Sequence, residues 1–497
     1  MSSSRTLSDY EVAMIKGMLA IKPALTHQMI LSHFTRPGRD LNHRVISEIA
    51  HGSLHAHVRA ASKHVVRAFM EEFIDIPQPD ASAFLAAGFG ARPVKDILRF
   101  QASWWGVGQG LFMSGRLRRH GTKDFSWVYD CGSSSSRRVL DAAISRFNAK
   151  YGRPSPIDLV AISHFDQDHI NGIVSLINGR KVGILLLPYL PAWQRMLVAV
   201  EQGIQAGSGL MDFLLDPVDY LARLENTEIE EILLVPSAGP DDLAPPTPED
   251  PDAPRTEPDA LPTRIDYGPS PDDAEGGTPN GKPVRYLKPG GRIVASTVWE
   301  FIPYNDAQML PKVDPKFQKR ATFAARIMRT LPHSRERALA FLKALYQRTF
   351  GKTARNKNII SLFLYSGPAG FRHSLLASRW TASVRWNPAR SNYSLLSTGD
   401  GYLDTQARLS ALQRFYRHDN RIERAGIFQV MHHGAKANWH KGVANALQPA
   451  VSIFSSDPSR STPGHPDGEV LRDFWAWRPV QVDSQTDFHL LGTVGFP

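Results

Sequence analysis

Four side chains that commonly ligate metal ions lie close together in this sequence: His164, Asp166, Asp168 and His169. The preceding residues 157–163 are apolar and partly β-branched, which predicts a buried strand, and a helix is predicted to begin near Ile170. Loops at strand ends commonly carry catalytic side chains. This density of ligands indicates a two-metal hydrolase, whereas the alternative is a solvated turn on which polar residues happen to cluster.

Alternation along the extended backbone divides these four side chains into two pairs. Residues two apart share a face of a strand, so His164 and Asp166 are expected to hold one ion. Asp168 and His169, which turn into the helix, are expected to reach a second ion. Nitrogen and oxygen ligands without a thiolate suit zinc or manganese and do not distinguish between them.

The ligand string resembles the His-x-His-x-Asp-His signature of the metallo-β-lactamase fold, with Asp166 in place of the second histidine. The Asp-for-His form is similar to the domain at the C-terminus of the ComEC-type DNA-uptake proteins of competent bacteria. The chain departs from the family's glycine loop, in which acids stand at the positions of Gly106 and Leu111; this concerns the substrate more than metal binding. Further stretches resemble that family's motifs in the same order: residues 107–110, 127–132, 358–364, 397–400, 431–434 and 464–466.

The resemblance implies ligands from the second half of the chain. In the family the carboxylate of the Thr-Gly-Asp turn bridges the two metals, which implies that role for Asp400. Either His432 or His433 then completes the site, and His432 is favoured. The cofactor implied is a pair of divalent ions, zinc or manganese.

Catalytic and substrate-binding roles are also expected near the metals. Asp168 is expected to be catalytic as well as a ligand, and His465 is nominated to contact the scissile phosphate or to protonate the leaving oxygen. The alternative for His465 is an ordinary turn residue. Lys436 and Asn438, which follow the His-His-Gly turn, are expected to contact phosphate.

Composition favours an enzyme of the cytoplasm with an anionic partner. The single cysteine, Cys131, excludes an internal disulfide, and no apolar run is long enough to span a membrane. The formal charge is +10. Residues 312–355 hold 12 Lys and Arg against two acids, whereas residues 241–275 hold 11 Asp and Glu against two Arg. The basic part predicts two helices, 315–330 and 334–350, that either contact nucleic acid or form a solvated hairpin.

The first 90 or so residues are predicted to form a separate helical unit. Helical patterns at residues 8–21, 24–33 and 42–51 resemble a helix-turn-helix module, which either binds DNA or docks a protein partner. Residues 91–497 are predicted to form the hydrolase domain, with an insertion at about 190–355. That insertion is expected to contain helices at 192–206 and 210–224 and a disordered acidic loop at 240–285.

The fold class expected is α/β, with a metallo-β-lactamase-like αββα sandwich. Two strand-rich halves flanked by helices would place ligands from both halves along one open edge. Three functions follow: a metal-dependent nuclease acting on DNA, in bacterial defence against foreign DNA; a hydrolase of a small phosphodiester, such as a cyclic nucleotide or a phosphocholine ester; and a DNA-binding regulator with a vestigial fold. The strands are predicted at residues 97–105, 125–130, 157–163, 182–188, 358–365, 393–397, 427–431 and 451–455.

Overall fold

The structure is a computed structural model of the 497-residue chain. It describes residues 7, 9–21, 25–34, 41–61, 66, 96–119, 122–153, 155–247, 264–271, 283–295, 298–309, 313–350, 361–370, 374–380, 392–460, 462 and 464–496.

The strands lie, in chain order, at β1 (Asp96–Trp104), β2 (Phe112–Arg119), β3 (Phe125–Cys131), β4 (Ile157–Ala161), β5 (Lys181–Pro188), β6 (Glu228–Val235), β7 (Arg264–Ile265), β8 (Tyr267–Gly268), β9 (Val284–Leu287), β10 (Ile293–Ala295), β11 (Trp299–Tyr304), β12 (Phe363–Pro368), β13 (Ser374–Trp380), β14 (Leu395–Ser397), β15 (Ile427–Gln429), β16 (Val451–Ser455), β17 (Pro479–Val482) and β18 (Phe488–Phe496). The α-helices lie at α1 (Asp9–Leu19), α2 (His27–Ser32), α3 (His43–Ala50), α4 (Arg137–Tyr151), α5 (Gln167–Ile170), α6 (Ile173–Ile177), α7 (Ala192–Glu201), α8 (Gly209–Leu215), α9 (Pro217–Ala222), α10 (Pro315–Thr330), α11 (Arg335–Phe350), α12 (Gln406–Phe415), α13 (Arg421–Arg424), α14 (Val443–Leu447) and α15 (Gly468–Asp473).

These strands form two sheets. Within the described residues, the first sheet has the order β13-β18-β1-β2-β3-β4-β5-β6-β9-β8, and the second has the order β17-β16-β15-β14-β12-β11-β10-β7. Each sheet contains a parallel part, β3 to β6 with β9 in the first and β14 to β17 in the second. In open α/β sheets, ligands bind beyond the carboxyl ends of parallel strands.

Three apolar layers hold the two sheets and their helices together. Aromatic side chains fill the space between the sheets: the ring centroids of Phe100 and Trp299 are 5.2 Å apart, and those of Trp127 and Phe301 are 5.3 Å apart. One outer layer joins the first sheet to α4 and to α7 through α11. The other joins the second sheet to α12, α15 and the N-terminal helices. The predicted αββα sandwich is therefore confirmed.

The N-terminal helices pack on the second sheet rather than standing apart. Buried residues of α1 to α3 belong to the same apolar layer as Phe428 and Phe474. The ring of His33 meets that of Trp475 edge to face at 6.2 Å. The three helices begin and end within three residues of the predicted bounds. The sequence also predicts a break between helices at residues 36–39 and a linker at 77–79, and both lie outside the described residues.

Residues 190–355, predicted to form an insertion, differ from that prediction in two ways. It supplies β6 to the first sheet and β10 and β11 to the second, so much of it belongs to the sandwich. The helix expected at 210–224 is two helices, because Pro217 lacks the N–H that would continue α8, and Asp216 caps a new helix. Most of the expected acidic loop at 240–285 lies outside the described residues.

α10 has the predicted bounds and α11 begins one residue later than predicted, but the buried face of α10 differs from the expected one. The apolar period of the sequence predicts a buried stripe of Phe317, Phe323, Ile327 and Leu331. Phe323 and Leu331 are instead 62% and 40% exposed. The buried face consists of Phe317, Ala321, Ala324, Ala325 and Met328. Small alanines let α10 approach α7 and α8 closely, which fixes the rotation of the helix and leaves Phe323 on the solvent side.

Candidate metal centre

The candidate ligands follow parallel strands of both sheets. His164 to His169 follow β4, Asp400 follows β14, and the pair His432 and His433 follows β15. The carboxyl ends of these strands meet at one edge of the sandwich. The backbone joins the two turns there, since the His432 N–H donates to the carbonyl of Gly399, the residue before Asp400, at 2.9 Å.

One set of side chains surrounds Oδ2 of Asp400. His164 Nε2 lies 3.6 Å from this oxygen and 3.7 Å from Oδ2 of Asp166. His432 Nε2 lies 3.4 Å from the same Asp400 oxygen. His164 and Asp400 are buried, whereas His432 and Asp166 are partly exposed.

A second set surrounds Oδ1 of Asp400. His169 Nε2 lies 3.1 Å and His433 Nε2 3.6 Å from this oxygen, and His433 Nε2 lies 3.4 Å from Oδ2 of Asp168. The structure thus brings the two histidines of the His-His-Gly turn to different oxygens of Asp400. Neither histidine is left out in favour of the other.

The Nδ1 atoms of the four histidines face away from Asp400 and are held by other groups. His169 Nδ1 pairs with Asp130 at 2.7 Å, and His164 Nδ1 with the hydroxyl of Ser163 at 2.8 Å. His432 Nδ1 pairs with the Asn438 side-chain oxygen at 2.7 Å, and His433 Nδ1 with the carbonyl of Ser455 at 2.6 Å. With a proton on Nδ1, each imidazole presents the lone pair of Nε2 to the carboxylates, which is how ligating histidines are oriented.

Asp130 connects the two sets. It lies at the end of β3 in the left-handed region, with φ of 57°, and is fully buried. Its carboxylate accepts the hydroxyl of Ser163 at 2.6 Å and the backbone N–H of Ser163 at 2.7 Å, in addition to its bond with His169. Because Ser163 in turn orients His164, one carboxylate fixes a histidine of each set.

Turns with positive φ aim the remaining histidines. His432 and His433 have φ of 44° and 57°, which non-glycine residues rarely adopt. Gly399, with φ of 51°, precedes Asp400. A Cβ added at Gly399 would lie 2.7 Å from the Ser163 side chain. A side chain at Gly399 would therefore separate the Asp400 turn from the ligand loop.

The charges of the centre favour a cation among the carboxylates. Burial raises the pKa of Asp166 to about 7. Burial also disfavours the charged form of Asp400, but the neighbouring histidines outweigh it and hold the pKa of Asp400 well below its ordinary range. The converse holds for His169 and His433, where burial is outweighed by Asp400 and other carboxylates, so that the pKa of each is raised. Positive charge is therefore stabilised here.

The donor set fits divalent metal ions. Four buried atoms have no hydrogen-bond partner among the described residues and converge on the same space: Nε2 of His164, His169 and His433, and Oδ1 of Asp400. Leaving such atoms unsatisfied is costly unless another group engages them. Donor atoms of two triads, His164, His169 and Asp400, and Asp168, His169 and His433, lie within 4.8 Å of one another. Imidazoles and carboxylates without thiolate suit zinc or manganese.

The residues expected to contact substrate lie in three different settings. His465 is partly buried, and its ring centroid is 5.8 Å from that of His432. Lys436 lies at the surface and pairs with Glu469 at 2.5 Å. Asn438 is fully buried behind His432, and its amide donates to the carbonyl of Asp400 at 2.8 Å. A phosphate contact by Asn438 would require these bonds to break, so the geometry gives it the task of positioning His432.

Sequence reasoning did not assign roles to Asp130, Ser163 or Gln202. Gln202, just after α7, donates its amide to Oδ1 of Asp166 and holds this candidate ligand from the side of the helical layer. Asp130 was visible as an acid at the end of a predicted strand, which could have suggested a role at the site. The glutamine carries no such signal, because its partner lies 36 positions away.

No protein-family model and no curated protein matches the chain. Among solved structures the chain is similar to one described as the crystal structure of a long form RNase Z from yeast, with 10% identity and a TM-score of 0.19. The match covers 78% of this chain and 42% of that one, so this chain corresponds to less than half of the yeast protein. A likeness this weak gives no support to any function. Among the described residues, no helix is long and apolar enough to cross a membrane.

Proposed function

We propose that the protein is a metal-dependent phosphodiester hydrolase that cleaves DNA, in bacterial defence against foreign DNA. The observation that carries the proposal is the division of the candidate ligands between the two oxygens of Asp400. His164, Asp166 and His432 would hold one divalent ion, and Asp168, His169 and His433 the other, with Asp400 between them. When bound, such a pair supplies Lewis-acid activation of water and neutralises charge on a phosphoryl oxygen.

The chain's own residues prepare this chemistry. Asp130, Ser163, Asn438 and the Ser455 carbonyl hold the four imidazoles in one tautomer, so that the ligand atoms need not reorganise. His465 lies beside His432 and is partly open to solvent, which supports the proposal that it donates a proton to the leaving oxygen or a hydrogen bond to the phosphate.

The choice of DNA as substrate rests on charge and on the family resemblance. The chain carries +10, and the basic hairpin carries most of that excess. A positively charged surface attracts a phosphate backbone independently of sequence. Hydrolysis of a small phosphodiester, such as a cyclic nucleotide, is the second candidate function. The experiment described next distinguishes it from the cleavage of DNA.

The deciding experiment compares the purified full-length protein with its Asp400→Asn variant. Linear, circular and single-stranded DNA, RNA and a cyclic nucleotide are each incubated with manganese or with zinc. Metal-dependent cleavage of DNA by the wild type alone is expected. Turnover of the cyclic nucleotide without any cleavage of DNA would contradict the nuclease assignment, as would cleavage confined to RNA.

The proposed setting has its own test. Bacteria that produce the wild-type protein are expected to show fewer plaques on challenge with a DNA phage than bacteria that produce Asp400→Asn at the same level. Equal plaque numbers over a panel of DNA phages would contradict the defence role while leaving the hydrolase in place.

A further inference from the structure

An aromatic side chain surrounded by cations stands on the solvent face of α10. Phe323 is 62% exposed, the largest exposed fraction among the large apolar residues that the structure describes as exposed. Lys319 and Arg320 precede it by four and three positions and Arg326 follows it by three, which places all of them beside it on one helix face. We call these four residues the α10 face.

The cations of the α10 face are available to an outside partner. Lys319, Arg320 and Arg326 are exposed, and no ion pair joins them to another residue in the described part of the chain. Two other arginines of the hairpin are engaged instead: Arg329 pairs with Asp216 at 3.3 Å, and Arg335 with Asp212 at 2.7 Å. Some cations of the hairpin therefore pair with acids of the protein, whereas those of the α10 face are exposed to solvent.

The α10 face belongs to a helical layer that also contacts the candidate ligand loop. α10 packs on α7, with the rings of Phe317 and Trp193 edge to face at 6.5 Å, and Tyr346 of α11 donates to Glu201 of α7 at 2.7 Å. The residue after Glu201 is Gln202, which bonds to Asp166. The layer that carries the α10 face thus also supports the ligand loop.

We propose that the α10 face binds single-stranded nucleic acid, with a base stacked on Phe323 and with Lys319, Arg320 and Arg326 on the neighbouring phosphates. An exposed phenyl ring in water is unfavourable, and an unpaired base offers it a π-face whatever the sequence. The bases of a duplex are already stacked on each other, so cations alone would not choose between the two forms. This inference rests on the proposed function and deepens it by naming the form of the substrate.

The test measures binding without hydrolysis. Fluorescence anisotropy of a labelled oligothymidylate of about 16 nucleotides, with chelator present, gives the affinity of the full-length protein. Phe323→Ala is expected to weaken this binding roughly 5- to 100-fold. Phe323→Trp should retain it, whereas Phe323→Leu, which keeps an apolar side chain without a π-face, should weaken it nearly as much as alanine.

Charge and control variants complete the design. Lys319→Gln and Arg326→Gln should each lower the slope of log affinity against log salt by about 0.7, whereas Phe323→Ala should leave that slope unchanged. Leu491→Ala is the matched apolar control, since Leu491 is 48% exposed on β18. Arg138→Gln on α4 is the matched charge control. Neither control should change affinity.

The outcomes separate this inference from the proposed function. Unchanged affinity in Phe323→Ala, or full retention in Phe323→Leu, would overturn the stacking platform even if the wild type hydrolyses DNA. Duplex binding as tight as single-strand binding, or displacement of the oligomer by anionic phospholipid vesicles, would overturn it too. Phe323-dependent binding by a protein that hydrolyses no phosphodiester would uphold the platform and contradict the hydrolase.

Discussion

Asp400 is shared by the two candidate metal sites, because each of its carboxylate oxygens faces different histidines. Asp400→Asn keeps the shape but removes the shared negative charge. Metal content by plasma emission is expected to fall, and hydrolysis to fall on the order of 10⁴-fold, as for loss of an essential group. Asp404→Asn, at a nearby carboxylate that pairs with Arg408, is the matched control. Full activity in Asp400→Asn would contradict the two-metal assignment.

Asp130 belongs to neither triad of candidate ligands, so its loss should act through the orientation of the histidines. Asp130→Asn weakens the acceptor that fixes His169 and the Ser163 hydroxyl. Metal affinity, measured by competition with a chelator, is expected to fall about 10- to 100-fold. Ser163→Ala should give a smaller loss, since it leaves the bond from Asp130 to His169 intact. An unchanged affinity in both variants would remove the positioning role.

At the scale of elements, Glu201 provides a pH-dependent contact between α7 and α11. Burial raises the pKa of Glu201 from 4.5 to about 7, against the hydrogen bond from Tyr346. A raised pKa means that the folded protein prefers the protonated acid. The stabilisation is complete below about pH 4.5 and is lost as the pH rises through about 7.

Glu201→Gln removes this titration while keeping a hydrogen-bonding side chain. With chelator present, the free energy of unfolding of the wild type relative to Glu201→Gln should therefore decrease between pH 4.5 and 7. Denaturant titration at several pH values measures it. A constant difference across that range would show that Glu201 is not buried as described.

Elements with a clear period were predictable, and their partners in space were not. β16 (Val451–Ser455) and α10 have the predicted bounds, and α11 begins one residue after its predicted start, because apolar runs and caps are local signals. The ligand string could be found for the same reason, since its donors are adjacent in sequence. The prediction of which α10 face is buried was wrong, because contacts with α7 and α8, over 100 positions earlier in the chain, decide it. Asp130 and Gln202 bond to partners 39 and 36 positions away in the chain. The hydrophobic periodicity of a sequence carries no information about such distant contacts.

At the scale of the whole molecule, the N-terminal helices have a structural task, because they cover an apolar layer of the second sheet. Deleting residues 1–90 should lower the thermal midpoint, because it uncovers the apolar layer around Phe428 and Phe474. Since this segment supplies none of the ligands of the candidate metal centre, turnover of a small chromogenic phosphodiester per folded molecule should persist. Loss of turnover in a truncated protein that remains folded would place the segment within the catalytic unit.

The acidic and basic runs provide a further prediction. We expect the acidic run at 241–275 to screen the basic hairpin, because its negative charges can imitate a phosphate backbone. Its central acids, which lie outside the described residues, are Glu249, Asp250, Asp252, Glu257 and Asp259. Replacing them with the corresponding amides should tighten DNA binding at low salt and steepen the salt slope by roughly 0.7–0.9 for each cation released. An unchanged affinity and slope would mean that the run is simply a solvated segment.

The candidate metal ligands come from both sheets, which has a consequence while the chain is being translated. A ribosome releases residues 164–169 long before residues 400, 432 and 433, so a growing chain holds a half-built set that lacks Asp400. The centre is complete only when the second sheet has closed on the first. If the protein is the proposed hydrolase, a nascent or prematurely ended product therefore lacks its activity, and unfinished copies are harmless to the nucleic acid of the cell that makes them.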